Sequence, residues 1–380
     1  MKSPQAVNSE QTYEPGTHPD LPPPSTEVGI IGWVRHNLFS STTNIVITVL
    51  TVYLLYVIVP PLLSWFFLDA VFVADSRDDC RAIAQAAGEE LGACWAFIGK
   101  RFQIFVYGFY PAEERWRVNI AFILMLAALV PVLFDHVPNR KQGLWFSLIA
   151  PVIIGWLLIG GMGLTPVSTH KFGGFMLTLT IGVTGIVGSL PIGIALALGR
   201  QSTMPALRMV CVAFIEFIRG VPLIALLFVA STMLNYFLPP GTTFDLLLRV
   251  LIMVTLFSSA YIAEVIRGGL QAIPKGQIEA AGSMGLKYWQ SMRLIILPQA
   301  LKISIPGIVN SFIGLYKDTT LVIIIGLFDP LGMGRASLAD IKWLGLSTEI
   351  YVFVAIFFFV SCFSMARYSL YLEKKLYTGH

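Results

Sequence analysis

Eight times along this chain, apolar residues run for about the twenty positions that a helix needs to cross a bilayer. The runs are Ile45 to Leu68, Val118 to Phe134, Leu144 to Gly163, Phe172 to Gly199, Leu207 to Leu238, Leu246 to Val265, Ile303 to Phe328 and Glu349 to Leu370. Segments of this kind leave little freedom of fold. They predict an all-α integral membrane protein with about eight transmembrane helices. Composition agrees. Only 13% of the 380 residues are charged, where a soluble domain carries roughly 25%. The net charge of +4 gives no case for nucleic acid. Five scattered histidines and four cysteines without CxxC spacing give no metal site and no redox motif.

The segments between the runs divide the chain. Residues 1–43 are polar and rich in Pro, Ser and Thr, which predicts a retained, disordered cytoplasmic tail. Residues 69–117 form a polar loop with a short helix near Asp78 to Leu91. An even number of spans puts both termini on one side. The Lys and Arg distribution favours the cytoplasm for that side and the periplasm for the 69–117 loop. Cys80 and Cys94 then lie together outside, either as two free thiols or as a disulfide worth roughly 3 kcal/mol. Cys211 and Cys362 fall within spans and read as packing residues.

The first three runs carry no charge and read as anchors. The later ones differ. The fourth holds Gly182, Gly185, Gly188 and Gly193, small residues that let membrane helices approach closely. Charges then appear at depths where each costs roughly 2.5–3.5 kcal/mol on insertion scales. Glu216 and Arg219 interrupt the fifth run, just before Pro222. Glu264 and Arg267 end the sixth, and Lys317, Asp318 and Thr319 interrupt the seventh. In the first two sets Glu precedes Arg by three positions, on one helix face and in the favourable order. Self-paired structural charge is one reading. A polar path or gate for a zwitterionic cargo is the other, and Lys317–Asp318 lie deepest.

One polar stretch, Gly276 to Lys302, separates the sixth and seventh runs. Gln277 to Met284 is a good helix former. Gly285 stands where a helix ends in the left-handed conformation. Leu286 to Leu297 can form a second, amphipathic helix, and Pro298 bars simple continuation. A helix–glycine–helix between membrane spans is shaped to dock on something soluble.

The spacing Glu279-Ala280-Ala281, Gly285, Ile295-x-Leu297-Pro298 resembles the EAA loop of ABC-importer permeases, the cytoplasmic element that seats on the ATPase subunit. GGFMLTLTIG from Gly173, EFIRGVPL from Glu216, AYIAEVIRGGLQAIPKGQIEAAG from Ala260, KDTTLV from Lys317 and YLEKKL from Tyr371 are similar to the polar amino-acid permeases of the histidine/glutamine/arginine uptake type. Val221 stands where that family usually has Thr, and Thr320 where it has Ser.

The resemblance implies a five-helix type I importer core over 166–377, with a coupling loop over 268–302. Residues 44–165 are then a three-helix extension, which resembles the enlarged M-type permease of general L-amino-acid transport systems. The implied setting is a bacterial inner membrane. The implied partners are an ATP-binding subunit dimer, a second homologous permease, a periplasmic amino-acid-binding protein, an L-amino acid and membrane lipid. No G-x-x-x-x-G-K-[ST] occurs, so ATP and Mg belong to the partner ATPase, and this chain is not itself an enzyme. An ion-gradient-driven secondary transporter is the alternative, although no inverted repeat is visible. A membrane-embedded enzyme is opposed by spans without histidine. A purely structural subunit leaves the intramembrane charges unexplained.

Overall fold

The computed structural model describes residues 29–88, 90–233, 236 and 244–376. The expected disorder of residues 1–28, and the end of the fifth run near Leu238, lie outside them. Among the described residues seven helices are long and apolar enough to span a membrane, or eight if one bent pair counts as a span. The chain divides into two compact units, one of residues up to Ala70 with Glu90–Ala93, the other of Val71–Glu89 with Cys94–His380.

In the first unit α1 (Gly29–Leu38) leads into α2 (Thr42–Leu63). The chain is thus already helical from Gly29, earlier than the polar composition of the tail predicts. Ser41 caps α2 by accepting the Asn44 N–H at 3.2 Å, and Thr48 Oγ donates to the Leu38 carbonyl at 3.0 Å. Pro60 and Pro61 lie within α2, which loosens into a π turn at Ser64–Leu68. No residue of α2 is buried. Gly92 packs on Asp69 so tightly that a Cβ there would fall 2.5 Å from the Asp69 carbonyl oxygen.

The second unit opens with a small subdomain in the segment that the sequence reads as a polar loop with a short helix near Asp78 to Leu91, and that helix is present. α3 (Arg77–Ala87) is capped by Ser76 and stops at left-handed Gly88. α4 (Ala96–Tyr107) follows. The Cys80–Cys94 disulfide joins them, with Cα atoms 6.1 Å apart. α5 (Arg115–Leu133) and α6 (Arg140–Ile159) form a hairpin. The core helices come next. They are α7 (Gly174–Arg200), α8 (Pro205–Gly220), α9 (Leu223–Phe228), α10 (Leu246–Gln271), α11 (Lys275–Ser283), α12 (Tyr288–Ser291) and α13 (Leu297–Asp318). α14 (Pro330–Ser337) and α15 (Ser347–Leu376) close the chain.

α10 packs between α7 and α13. Gly182, Gly185, Gly188 and Gly193 of the fourth run all lie where a methyl group would press on a neighbour. At Gly193 it would sit 2.6 Å from Ile262 Cγ2 and 3.1 Å from the Ser259 carbonyl. The predicted boundary at 165 is not a packing boundary. Val118 and Ala121 of α5 and Leu157 and Leu158 of α6 share one apolar cluster with Met176, Leu177, Val250 and Leu315. Arg117, fully buried, locks this junction by pairing with Glu114 at 2.7 Å and donating to the Thr165 carbonyl at 2.8 Å.

The α3–α4 subdomain is fastened to the last third of the chain. Arg77 donates to the Leu344 carbonyl at 2.8 Å, Arg101 pairs with Asp340, and the Cys94 N–H donates to Glu349 at 3.2 Å. Phe97 meets Trp343 with the rings tilted, and Phe105 meets Phe353 edge-on.

The fifth run is not one straight helix. α8 and the helical segment Leu223–Met233 meet at 103°. Val221 is extended and Pro222 follows it. Proline pushes its predecessor out of the helical region and supplies no N–H, so a helix cannot pass through Gly220-Val221-Pro222.

Asp329, fully buried outside the spans, caps α14 by accepting the Gly332 N–H at 2.8 Å. Burial pushes its carboxyl up to about 6. The folded state therefore holds this proton more tightly than the unfolded chain. The contribution of Asp329 to stability should be highest at acid pH, fall as pH rises from the ordinary carboxylate range through about 6, and then level off. Asp329→Asn, which keeps a capping side chain, should remove that contribution and gain roughly 3 kcal/mol relative to wild type above pH 6. Thermal melting in detergent across this range checks it, and superimposable wild-type and variant profiles would contradict it.

Candidate functional site: a coupling turn and an ionic hub

Three residues, Ala272 to Pro274, separate α10 from α11. α11 ends in a Schellman turn built on Gly285. The glycine adopts φ +73°. Its N–H donates to the Gly282 carbonyl at 2.9 Å, and the Leu286 N–H reaches back to the Ala281 carbonyl at 3.2 Å. Ala281 is buried, whereas Glu279 and Ala280 are exposed. Glu279 stands in the middle of α11 and does not cap it. Its backbone carbonyl accepts from Ser283 at 3.0 Å, and Pro274 precedes the first turn. Gln277 and Gln299 join the two arms at 3.4 Å.

The second arm departs from expectation. Pro298 does not stop it. From Tyr288 the helix runs through a π turn at Met292–Ile296 into α13, with Pro298 in that helix's first turn. The Leu297 N–H bonds to the Met292 carbonyl, five residues back. This wider turn lies where a proline ring would otherwise press on the carbonyl four residues earlier. Ile296 is buried, Ile295 and Leu297 are half-buried, and Pro298 is exposed. Around the turn Ile278, Met284, Tyr288, Trp289 and Leu294 are all exposed by more than half. Ile296 and Ala300 pack with Ile266, Leu270 and Ile273 at the foot of α10. The loop thus presents an apolar crest outward and is packed onto the membrane helices inward.

Directly above lies a cluster of charge. Glu264 on α10 is the hub, with its side chain 15% exposed. It pairs with Arg200 at the end of α7 at 2.8 Å, with Arg267 one turn on at 3.0 Å, and with Arg219 of α8 at 3.4 Å. Arg200 also pairs with Glu216 at 2.9 Å. The expected Glu264–Arg267 pair is present. The expected Glu216–Arg219 pair is not among the ion pairs of the described residues, because both side chains turn to other helices. Arg200 was the missed member. It closes the uncharged fourth run, so its charge reads as a helix end until α8 and α10 are brought alongside. A carboxylate has about four acceptor sites, enough for three guanidiniums.

The third charged set lies elsewhere. α13 tightens into a 3-10 turn at Thr319–Ile325. Thr319 is buried and donates to the Tyr316 carbonyl at 2.7 Å, so it does not face a path. Lys317 is exposed and Asp318 half-buried. Asp318 lines an open cleft of about 530 Å³ with Tyr261, Ser258, Asn310 and Ser311. Tyr261 joins the two regions, since Arg219 lies 5.7 Å from its ring centre. Pro222 stands at the bend and positions α9.

Removing one partner of a buried pair leaves uncompensated charge, at a cost of roughly 3–5 kcal/mol. Glu264→Gln should therefore destabilise the protein by about 3 kcal/mol. Glu216→Gln, at a side chain 55% exposed, should cost less than about 1 kcal/mol. Melting in detergent compares them, and equal losses would contradict the hub.

Residues 189–377 match the family described as "Binding-protein-dependent transport system inner membrane component". The inner membrane amino-acid ABC transporter permease protein YhdY of Escherichia coli (strain K12) is 50% identical over 96% of this chain and 97% of that protein. The glutamate/glutamine/aspartate/asparagine transport system permease protein BztC of Rhodobacter capsulatus is 47% identical over 94% of this chain and 96% of that protein. A solved chain titled "Crystal structure of an amino acid ABC transporter with histidines" is 29% identical, covers 53% of this chain and 91% of its own length, and has a TM-score of 0.46. The chain belongs to the family of binding-protein-dependent transport system inner membrane components and is an ABC transporter permease.

Proposed function

We propose that this chain is one permease subunit of an ATP-driven importer that moves L-amino acids across a bacterial inner membrane, with both termini in the cytoplasm. The likeness to two amino-acid permeases along almost their whole length supports the cargo class. Residues 166–377 act as the type I permease core. Its partners are a second permease, a periplasmic binding protein and two ATPase subunits, on which ATP and Mg are bound. No observation favours an ion-gradient-driven secondary transporter.

The observation that carries this reading is the Gly285 turn. It holds an exposed apolar crest at the end of a helix rigidly continuous with the membrane core. Closure of the ATPase subunits pushes α11. Three residues away α10 moves, and Glu264 carries that motion to α7 and α8. The bend at Pro222 lets α9 change its angle while α8 stays paired. The Asp318 cleft, joined to the hub through Tyr261, provides a carboxylate for the ammonium of a zwitterionic cargo.

A side chain at Gly285 must adopt the left-handed region, at a cost of about 1–2 kcal/mol. Gly285→Leu should leave membrane insertion and ATP hydrolysis intact while lowering amino-acid uptake by roughly tenfold. Uptake and hydrolysis by the complex in proteoliposomes measure this. Unchanged uptake would overturn the assignment of the loop.

A further inference from the structure

Beside the hub, and sharing no lining residue with the Asp318 cleft, lies a second open cleft of about 520 Å³. Arg200 and Gln201 line it from the end of α7, Arg208 and Val212 from α8, and Arg267 and Gln271 from the last turns of α10. No carboxylate lines it. Three arginines thus line one hollow.

The hub does not neutralise them. Glu264 is already shared by Arg200, Arg219 and Arg267, and Glu216 is held by Arg200. Among the described residues Arg208 makes no ion pair, so the group carries more guanidiniums than carboxylates. The amides add hydrogen-bonding capacity. Gln271 accepts an Arg267 N–H at 3.0 Å on its oxygen, which leaves its NH2 free to donate. The cleft also lies at a definite depth. α7 and α10 are both long and apolar enough to span a membrane, and the cleft is at their ends, the level that headgroups take around a helix long enough to span.

We propose that this cleft binds a phosphate group, as the headgroup of an anionic phospholipid or as phosphate from solution. Arg208 supplies the free charge. Arg200 and Arg267, held in place by Glu264, supply planar N–H pairs that match phosphate oxygens. The depth of the cleft favours the lipid. The proposal rests on the membrane-spanning reading of α7 and α10, not on the identity of the cargo.

The test uses the assembled complex in nanodiscs of phosphatidylcholine, with or without phosphatidylglycerol. Native mass spectrometry reads the lipid retained after release into detergent. Wild type should retain phosphatidylglycerol, and Arg208→Gln should retain roughly tenfold less, as expected for loss of a charged contact. Gln201→Glu, which places a carboxylate in the cleft without removing an arginine, should do the same. In phosphatidylcholine discs inorganic phosphate is titrated and followed by phosphorus NMR. Arg208-dependent phosphate binding without phosphatidylglycerol retention would assign the site to soluble phosphate. If neither variant changes lipid retention or phosphate binding, the proposal fails. It also fails if Arg208→Gln sheds the ATPase subunits with lipid retention unchanged, because the cleft is then a protein contact.

Discussion

The carboxylate of Glu264 holds three helices together at the foot of the membrane core. It is largely buried, and it is shared by guanidiniums that come from α7, α8 and α10 itself. Such a cluster is stable only as a whole, since each charge in a low-dielectric site depends on its partners. The apolar contacts above it are close but non-directional. The glycine face of α7 against α10 lets the helices touch without fixing how far one slides along the other. The hub sets that register. It also sits on α10, which only Ala272 to Pro274 separate from α11, so the element that fixes the register is joined by a short link to the arm of the coupling turn.

The other end of the molecule is secured by different means. The α3–α4 subdomain is closed by the Cys80–Cys94 disulfide and fastened to the segment around Asp340 to Glu349 by Arg77, Arg101 and the Cys94 N–H. Arg117, with Glu114 and Thr165, fixes the α5–α6 hairpin onto the core. Charge is thus concentrated at the two ends of the helices, and the middle is held by packing. A permease that changes the angle between its helices is well served by firm ends and a middle where apolar packing dominates and the cross-links are hydroxyl hydrogen bonds such as Ser304 to the Val265 carbonyl.

The spans and the Gly285 turn were legible because each is written locally, in hydropathy or in one glycine at a helix end. The glycines of α7 were legible for the same reason. What was not legible depends on neighbours distant in sequence. Arg200 belongs to the hub only once three helices are assembled. Glu216 and Arg219 have the spacing of a pair, yet stronger partners on other helices take both. In the 69–117 segment the helix near Asp78 was legible, but α4 and the fastening of the segment were not, because they depend on contacts with residues some 250 positions away. Two prolines show how context decides. Pro222, after extended Val221, breaks a run that hydropathy alone reads as continuous. Pro298 breaks nothing, because a π turn widens the helix just before it.

The central claim is that Glu264 and Arg200 act as one energetic unit across α7 and α10. A double-mutant cycle measures this directly. Arg200→Gln and Glu264→Gln are made singly and together, and the assembled complex is melted in detergent. The account predicts an interaction energy of roughly 1–3 kcal/mol between the two sites. Losses that add to within about 0.5 kcal/mol would mean the two side chains are merely adjacent, and would contradict it.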